Sequence, residues 1–300
     1  MFDDPAIARL DCAGRELRLD RPRIMGIVNV TPDSFSDGGL HLDPSAALAH
    51  ALRLVEEGAD LLDVGGESTR PGAAAVSEQQ EIDRVVPVIE RLVAAVAVPL
   101  SVDTSRPAVM RAAVAAGAGM INDVRALRGE GALEAAAGLG VPVCLMHMRG
   151  EPGDMQQDPR YDDVVASVHA FLAERIFACE MAGIERRRLL VDPGFGFGKT
   201  LEHNLRLLRQ LDRFGDLGPP LLVGLSRKSM IGTLTGRPVG ERVAGSVAAA
   251  LIAAQAGARI LRVHDVGATR DALAVWTAVA AEPAAPRRAG PSRPVWPDED

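Results

Sequence analysis

Cysteine is scarce in this chain. Cys12, Cys144 and Cys179 are the only three in 300 residues, an odd number without CxxC spacing. That excludes a disulfide framework and a thiolate zinc pattern, and the expectation is three reduced thiols in a cytoplasmic protein. Aromatic residues make up only 3%, and acidic residues outnumber basic ones, 40 to 33, for a net charge of −7. A nucleic-acid partner, which needs basic patches and stacking rings, is therefore not expected. No apolar run approaches the ~20 residues that cross a bilayer, so no membrane partner is expected either. The opening MFDDPAIARLD has no basic run followed by an apolar block, unlike a signal peptide. The GxSxG of a serine nucleophile elbow is missing, as is any His/Cys/Asp cluster with transition-metal spacing.

What is present is ordinary globular composition, 47% apolar and 24% charged. Eight short β-branched runs, at 24–30, 60–64, 98–103, 119–123, 141–147, 188–193, 220–225 and 260–265, alternate with longer Ala/Leu/Arg/Glu-rich stretches. Near-continuous apolar runs suit strands buried on both faces, and the stretches between them suit helices. Asp43-Pro44 reads as an N-cap and first-turn proline, with Leu48, Leu52 and Val55 lining one helical face. Ser77 with Gln80 fits a capping box, and Gly58, Gly117, Gly183 and Gly257 fit helix ends.

Eight strand–helix units predict an α/β fold, a (β/α)8 TIM barrel over 21–282, with an open doubly wound sheet as the alternative. Residues 1–20 are expected to hold a short β-hairpin around Ala13-Gly14 that plugs the barrel's N-terminal end. Residues 283–300 carry five prolines and both charge signs, and are expected to be disordered. The helix over 241–256 has only Ser246 as a polar residue between Arg242 and Gln255. Either a subunit interface, giving a homodimer, or unusually close intramolecular packing would account for it.

The strand endings carry the chemistry. In chain order they are Asn29, Asp63, Asp103, Asn122 with Asp123, His147, Asp192, Ser226-Arg227-Lys228, and Arg262 with His264. In a barrel all eight converge on one mouth. Any one of them alone is more readily a turn former; Asp103 or Asp123 could instead form a structural ion pair with a neighbouring Arg, and for Asp123 that reading is preferred. Together, Asp103, Asn122 and Asp192 suit a flat heterocycle rich in N–H donors, because a carboxylate accepts two parallel N–H bonds. Lys228 is placed to donate to a ring carbonyl. Arg70, Arg262 and His264, helped by Ser68 and Thr69, match a phosphate or diphosphate. GFGFGKT (194–200) fails as a P-loop, because Pro193 stands where a glycine is needed. It is expected to be a flexible loop over the mouth, with Phe195 or Phe197 as an apolar wall.

MGIVNVTPDSFSDGG (25–39) followed by DVGGESTRPGA (63–73) resembles the pterin-binding family. SVDT (101–104), IND (121–123), DPGFGFGK (192–199), GLSRKSMIG (224–232) and RVHDV (262–266) occur in that family's order. The resemblance implies joining of 4-aminobenzoate to (7,8-dihydropterin-6-yl)methyl diphosphate, giving 7,8-dihydropteroate and diphosphate for folate synthesis. It implies a pterin site of Asp103, Asn122, Met146, Asp192, Lys228 and Arg262. The diphosphate would meet Asn29, Thr69, Arg70, Arg262 and His264, with Mg²⁺ on Asn29. The aminobenzoate would meet Phe35, Thr69, Pro71, Phe197, Ser226, Arg227 and Lys228. Arg70, Lys228, Arg262 and His264 would be catalytic, and the segments 31–39 and 65–73 would close over the mouth. Asp33 and Asp37 receive no role. Sulfonamides, which resemble aminobenzoate, would compete with it. A non-catalytic pterin-binding paralogue and a corrinoid-dependent methyltransferase on a similar barrel are the alternatives; the loop motifs argue against the second.

Overall fold

The computed structural model describes residues 8–31, 44–67, 76–151, 153 and 155–282. The expectations for Asp43, for most of the two mouth segments and for the 283–300 tail lie outside those residues. Strands β1 (Arg9–Cys12) and β2 (Arg15–Arg18) form an antiparallel hairpin. Its two-residue turn has Ala13 and Gly14 both at positive φ, and Asp11 Oδ1 accepts from Gly14 N at 2.7 Å. Two positive φ values match the twist that a tight hairpin requires.

The parallel strands follow, most with a helix behind them. They are β3 (Arg23–Asn29), β4 (Leu61–Gly65), β5 (Leu100–Asp103), β6 (Met120–Asp123), β7 (Val143–Met146), β8 (Leu189–Asp192), β9 (Leu222–Val223) and β10 (Ile260–Val263). The eight pair in the order β8-β7-β6-β5-β4-β3-β10-β9, and a parallel bridge between Val191 and Leu221 links the two ends. This is the barrel, not the open sheet. The described helices are α1 (Pro44–Glu56), α2 (Glu78–Ala95), α3 (Pro107–Ala115), α4 (Ala132–Leu139), α5 (Val164–Met181), α6 (Leu201–Arg209), α7 (Ser229–Thr235), α8 (Val243–Gln255) and α9 (Val266–Ala281).

Strand periodicity of two sorts the side chains. Leu62, Val64, Val102, Ile121, Val143, Leu145 and Val191 point outward into the main core, against the helices. Their neighbours Met25, Leu61, Met120, Cys144, Leu190, Leu222 and Ile260 point inward and form a second cluster with Leu10, Cys12, Leu17 and Leu19 of the hairpin. The hairpin thus closes the N-terminal end of the barrel. It lies so close that a Cβ on Gly119 would stand 2.3 Å from the Cys12 carbonyl oxygen, so only glycine fits there. Two residues further along the strands, the inward positions become Asp63, Asn122, Asp192 and Arg262. The floor is apolar, and the mouth is polar.

Ser77 and Gln80 do close the capping box at α2, and the four helix-end glycines all take positive φ. Two expectations shift. In α1 the fully buried line is Ala47, Ala51 and Leu54, while Leu48, Leu52 and Val55 flank it, half-buried. The helix expected over 241–256 begins as a short 3-10 turn, Val239–Glu241, before α8 starts at Val243.

Candidate active site

A guanidinium organises the mouth. From β10, Arg262 donates through Nε to Asp63 Oδ2 at 2.6 Å and through Nη2 to Asp103 Oδ2 at 2.7 Å. Asn122 Nδ2 donates to the same Asp63 oxygen at 3.0 Å. Strand register makes this local: Asn29 sits opposite Gly65, Gly65 opposite Asp103, and Asp103 opposite Asn122. Asp63 is wholly inaccessible. It was legible as a strand ending, yet its role in binding two other site residues was not, because that depends on the barrel bringing β4, β6 and β10 together.

The consequence is directional. Asn122 commits one amide N–H to Asp63, which fixes the turn of the carboxamide, so its carbonyl oxygen remains to accept from a ligand. Asp103 is pushed up to about 7 by burial; Arg262 pulls the other way, and the neighbouring Asp63 carboxylate adds to the rise. Burial works against the Arg262 charge, but Asp63 and Asp103 outweigh it and raise its pKa above the usual value.

The opposite wall comes from β8 and the turn after β9. Asp192 Oδ1 accepts from Gly194 N at 2.7 Å. Burial raises the Asp192 pKa, and Lys228 opposes that rise. Lys228 is itself brought down to about 8 by burial, with Asp192 pulling it back up. Its Nζ stands 4.5 Å from the Phe197 ring centroid and donates to the Phe195 carbonyl. Phe197 packs on a small apolar cluster of Val124, Met146, Met148 and Met155, which gives the mouth one greasy side.

Three expectations are corrected here. The GFGFGKT segment is not a flexible flap: Lys199 Nζ donates to the carbonyls of Gly194 (2.8 Å) and Phe197 (2.9 Å), tying the turn down. A Cβ on Gly194 would lie 1.9 Å from the His147 carbonyl oxygen, so the segment is pressed onto the end of β7. Phe195 is fully buried in the main core, and Phe197 alone serves as the wall. Among the described residues Asp123 forms no ion pair with a guanidinium; it accepts from the Ser105 hydroxyl, from Arg125 N (2.8 Å) and from Leu127 N (2.7 Å). The Arg125 guanidinium goes to Glu151 instead.

The remaining residues divide. Ser226 Oγ lies 3.0 Å from His264 Nδ1 and accepts from His264 N at 3.2 Å. Arg227 is held by both oxygens of Asp265, at 3.0 and 2.5 Å, with its own φ at +57°. Asn29 stands at the end of β3, half-buried, and its side chain makes no hydrogen bond to a described residue. Phe35, Ser68, Thr69, Arg70 and Pro71 lie outside the described residues, as do Asp33 and Asp37.

A mouth with acceptors on two walls, a clamped guanidinium and an apolar side suits a nitrogen heterocycle. Residues 25–264 match the family described as pterin binding enzyme, and the chain belongs to it. Over 267 residues it is 54% identical to the dihydropteroate synthase of Escherichia coli K12, covering 89% of this chain and 95% of that one. A solved Xanthomonas albilineans dihydropteroate synthase with 4-aminobenzoic acid superposes with a TM-score of 0.88 at 69% identity, covering 93% of this chain and all of the other. The same enzyme in complex with 7,8-dihydropteroate superposes at 0.85 and 67% identity, covering 92% of this chain and 100% of the other. The particular family within the pterin-binding enzymes is the dihydropteroate synthases.

Proposed function

We propose that this chain condenses 4-aminobenzoate with (7,8-dihydropterin-6-yl)methyl diphosphate, releasing diphosphate and 7,8-dihydropteroate, by using the residues of the barrel mouth. The observation that carries the reading is the polarity of the mouth. With its amide committed to Asp63, Asn122 offers an acceptor, and Asp103 and Asp192 offer two more. An aminopyrimidinone edge supplies N–H donors to match. Lys228, between Asp192 and the Phe197 ring, donates to the ring carbonyl. Met146 lies against the ring face, and the clamped Arg262 plane stacks on it.

Departure of diphosphate leaves positive charge on the methylene carbon. The chain must neutralise the leaving group and exclude water from the cation. Arg262 and His264 do the first from β10, together with Thr69 and Arg70. The aminobenzoate sits by Phe35, Pro71, Phe197, Ser226, Arg227 and Lys228, and its weakly basic amine attacks without a strong general base. Asn29 fits a Mg²⁺ ligand, since its carboxamide stands at the mouth without a partner among the described residues. A hard cation that takes its other ligands from phosphate oxygens and water needs only one such side chain. When bound, Mg²⁺ supplies charge neutralisation to the diphosphate.

The fold also supports a homodimer. Leu234 of α7, Ile252 of α8 and Val275 and Val279 of α9 are exposed apolar side chains on consecutive helices, and apolar α8 lies in the middle. Three free, buried thiols suit the reducing cytoplasm.

The test mixes the chain with Mg²⁺, the pterin diphosphate and 4-aminobenzoate. Dihydropteroate and diphosphate should appear in equal amounts; pterin binding without turnover would identify a non-catalytic binder. Sulfonamides should inhibit competitively against aminobenzoate, and noncompetitive inhibition would contradict the amine site. Asn29→Ala should raise the Mg²⁺ concentration needed for half-maximal rate. An unchanged Mg²⁺ requirement would remove Asn29 from that role.

A further inference from the structure

Lys199 takes no part in the reaction as read above, yet it is buried to 3% exposure. Burying an ammonium is costly unless each N–H finds an acceptor. Lys199 Nζ has four within reach: Gly194 O at 2.8 Å, Phe197 O at 2.9 Å, His147 Nδ1 at 2.9 Å and, longer, His147 O at 3.4 Å. An ammonium carries three donors, and these acceptors meet all of them; burial pushes the Lys199 pKa well below the usual lysine value, and the Asp192 carboxylate pulls it back up. His147 must then be neutral, with its proton on Nε2, and burial followed by the Lys199 charge pushes its pKa down to about 2.

The segment it holds is fixed at every carbonyl. Gly194 O and Phe197 O accept from Lys199, Phe195 O from Lys228, Gly196 O from Gln156, and Gly198 O from Tyr161 Oη at 2.9 Å. The amides on the same stretch also point at side chains: Gly194 N donates to Asp192 Oδ1 at 2.7 Å and Gly196 N to Asn204 Oδ1 at 2.8 Å. Five successive carbonyls held by side chains are unusual for a loop, whose backbone usually faces water. Only one of the four donors, Lys228, has a ligand to serve. When Lys228 turns to a ligand, Phe195 O loses its partner, while Lys199 still grips the residues on either side.

We propose that Lys199 is a positioning residue, whose ammonium locks residues 194–198 so that Asp192 and the Phe197 ring meet pterin and aminobenzoate as one rigid unit. The inference rests on the reaction proposed above. By holding the Gly194 carbonyl, Lys199 fixes the residue whose N–H orients the Asp192 carboxylate. Through the Phe197 carbonyl, it fixes the ring beneath Lys228. One side chain therefore controls both substrates, although it contacts neither.

The test is Lys199→Met, which keeps the length of the side chain and removes its donors. Pterin Kd, measured with 6-hydroxymethylpterin monophosphate, and aminobenzoate KM should both rise, by about tenfold to a hundredfold, because a small misplacement of binding groups has effects of that order. The kcat at saturation should stay within about threefold, since the residues that neutralise the diphosphate are untouched. Lys199→Arg, which keeps charge and donors, should recover part of both constants. A Lys199→Met protein with a lower melting temperature but both constants unchanged, or with kcat alone reduced, would overturn the proposal. Should that variant not fold, ¹⁵N-lysine NMR of the wild type decides. A Lys199 ammonium signal protected from water exchange, and more so with pterin bound, supports the lock; free exchange in both states overturns it. Turnover by the wild-type chain is scored separately, so failure of the reaction assignment is distinguishable from failure of this inference.

Discussion

Asp192→Ala is expected to weaken pterin binding by ~2–5 kcal/mol, roughly 30-fold to several-thousand-fold, the range for truncating one partner of a buried charged hydrogen-bonded pair. The carboxylate stands at the inner end of β8, is almost inaccessible, and is oriented by the Gly194 amide at 2.7 Å. Its loss leaves Lys228 without the acid that restores its charge against burial. The ring would also lose its strongest acceptor and keep only Asn122 and Asp103. Titration calorimetry with a pterin reads the effect directly. Unchanged affinity in a folded variant would remove Asp192 from the pterin site.

A comparable effect, with a different signature, is expected from Asp63. Asp63→Ala strands the Nε of Arg262 and the amide of Asn122, both of which now share one carboxylate oxygen. Breaking a buried pair by deleting one partner costs about 3–5 kcal/mol, because the other charge stays behind without compensation. Melting temperature and pterin affinity should therefore fall together. Asp192→Ala should instead lose more in affinity than in stability, since the ligand's donors add to the Gly194 N–H and the Lys228 charge that its carboxylate already meets. Asp63→Asn tests the polarity argument more finely: a carboxamide there offers Asn122 a donor as well as an acceptor, and allows its amide to turn round. A variant that melts as the wild type does and binds pterin as tightly would refute the role given to Asp63.

Much of this was legible in the residues. Alternating apolar runs and helical stretches gave eight units, and the barrel followed from their number and length. The polar residue at each strand end pointed to one mouth, because only a barrel collects eight such ends. Ala13-Gly14 marked the hairpin turn, and inward Leu10, Cys12, Leu17 and Leu19 explain its place against the floor. The rest was hidden for identifiable reasons. Asp63 looked like its neighbours, and its hold on Arg262 and Asn122 spans 199 and 59 residues of chain. The glycines of 194–198 suggested freedom, whereas their positive φ values and the missing Cβ at Gly194 permit close packing on the end of β7. Asp123 looked ready for a guanidinium, but the amides of Arg125 and Leu127 and the Ser105 hydroxyl satisfy it first.

The claim on which the account depends is that the inward side chains of β5, β6 and β8 read the edge of a pterin while Arg262, clamped from β4 and β5, covers its face. A crystal structure of the chain with a 6-substituted dihydropterin tests this most directly. Ring N–H groups should lie within hydrogen-bonding distance of Asn122 Oδ1 and the Asp192 carboxylate, with the Asn122 amide still on Asp63 and Phe197 beside Lys228. A pterin bound elsewhere, with Asp103, Asn122 and Asp192 touching only one another or water, would contradict it.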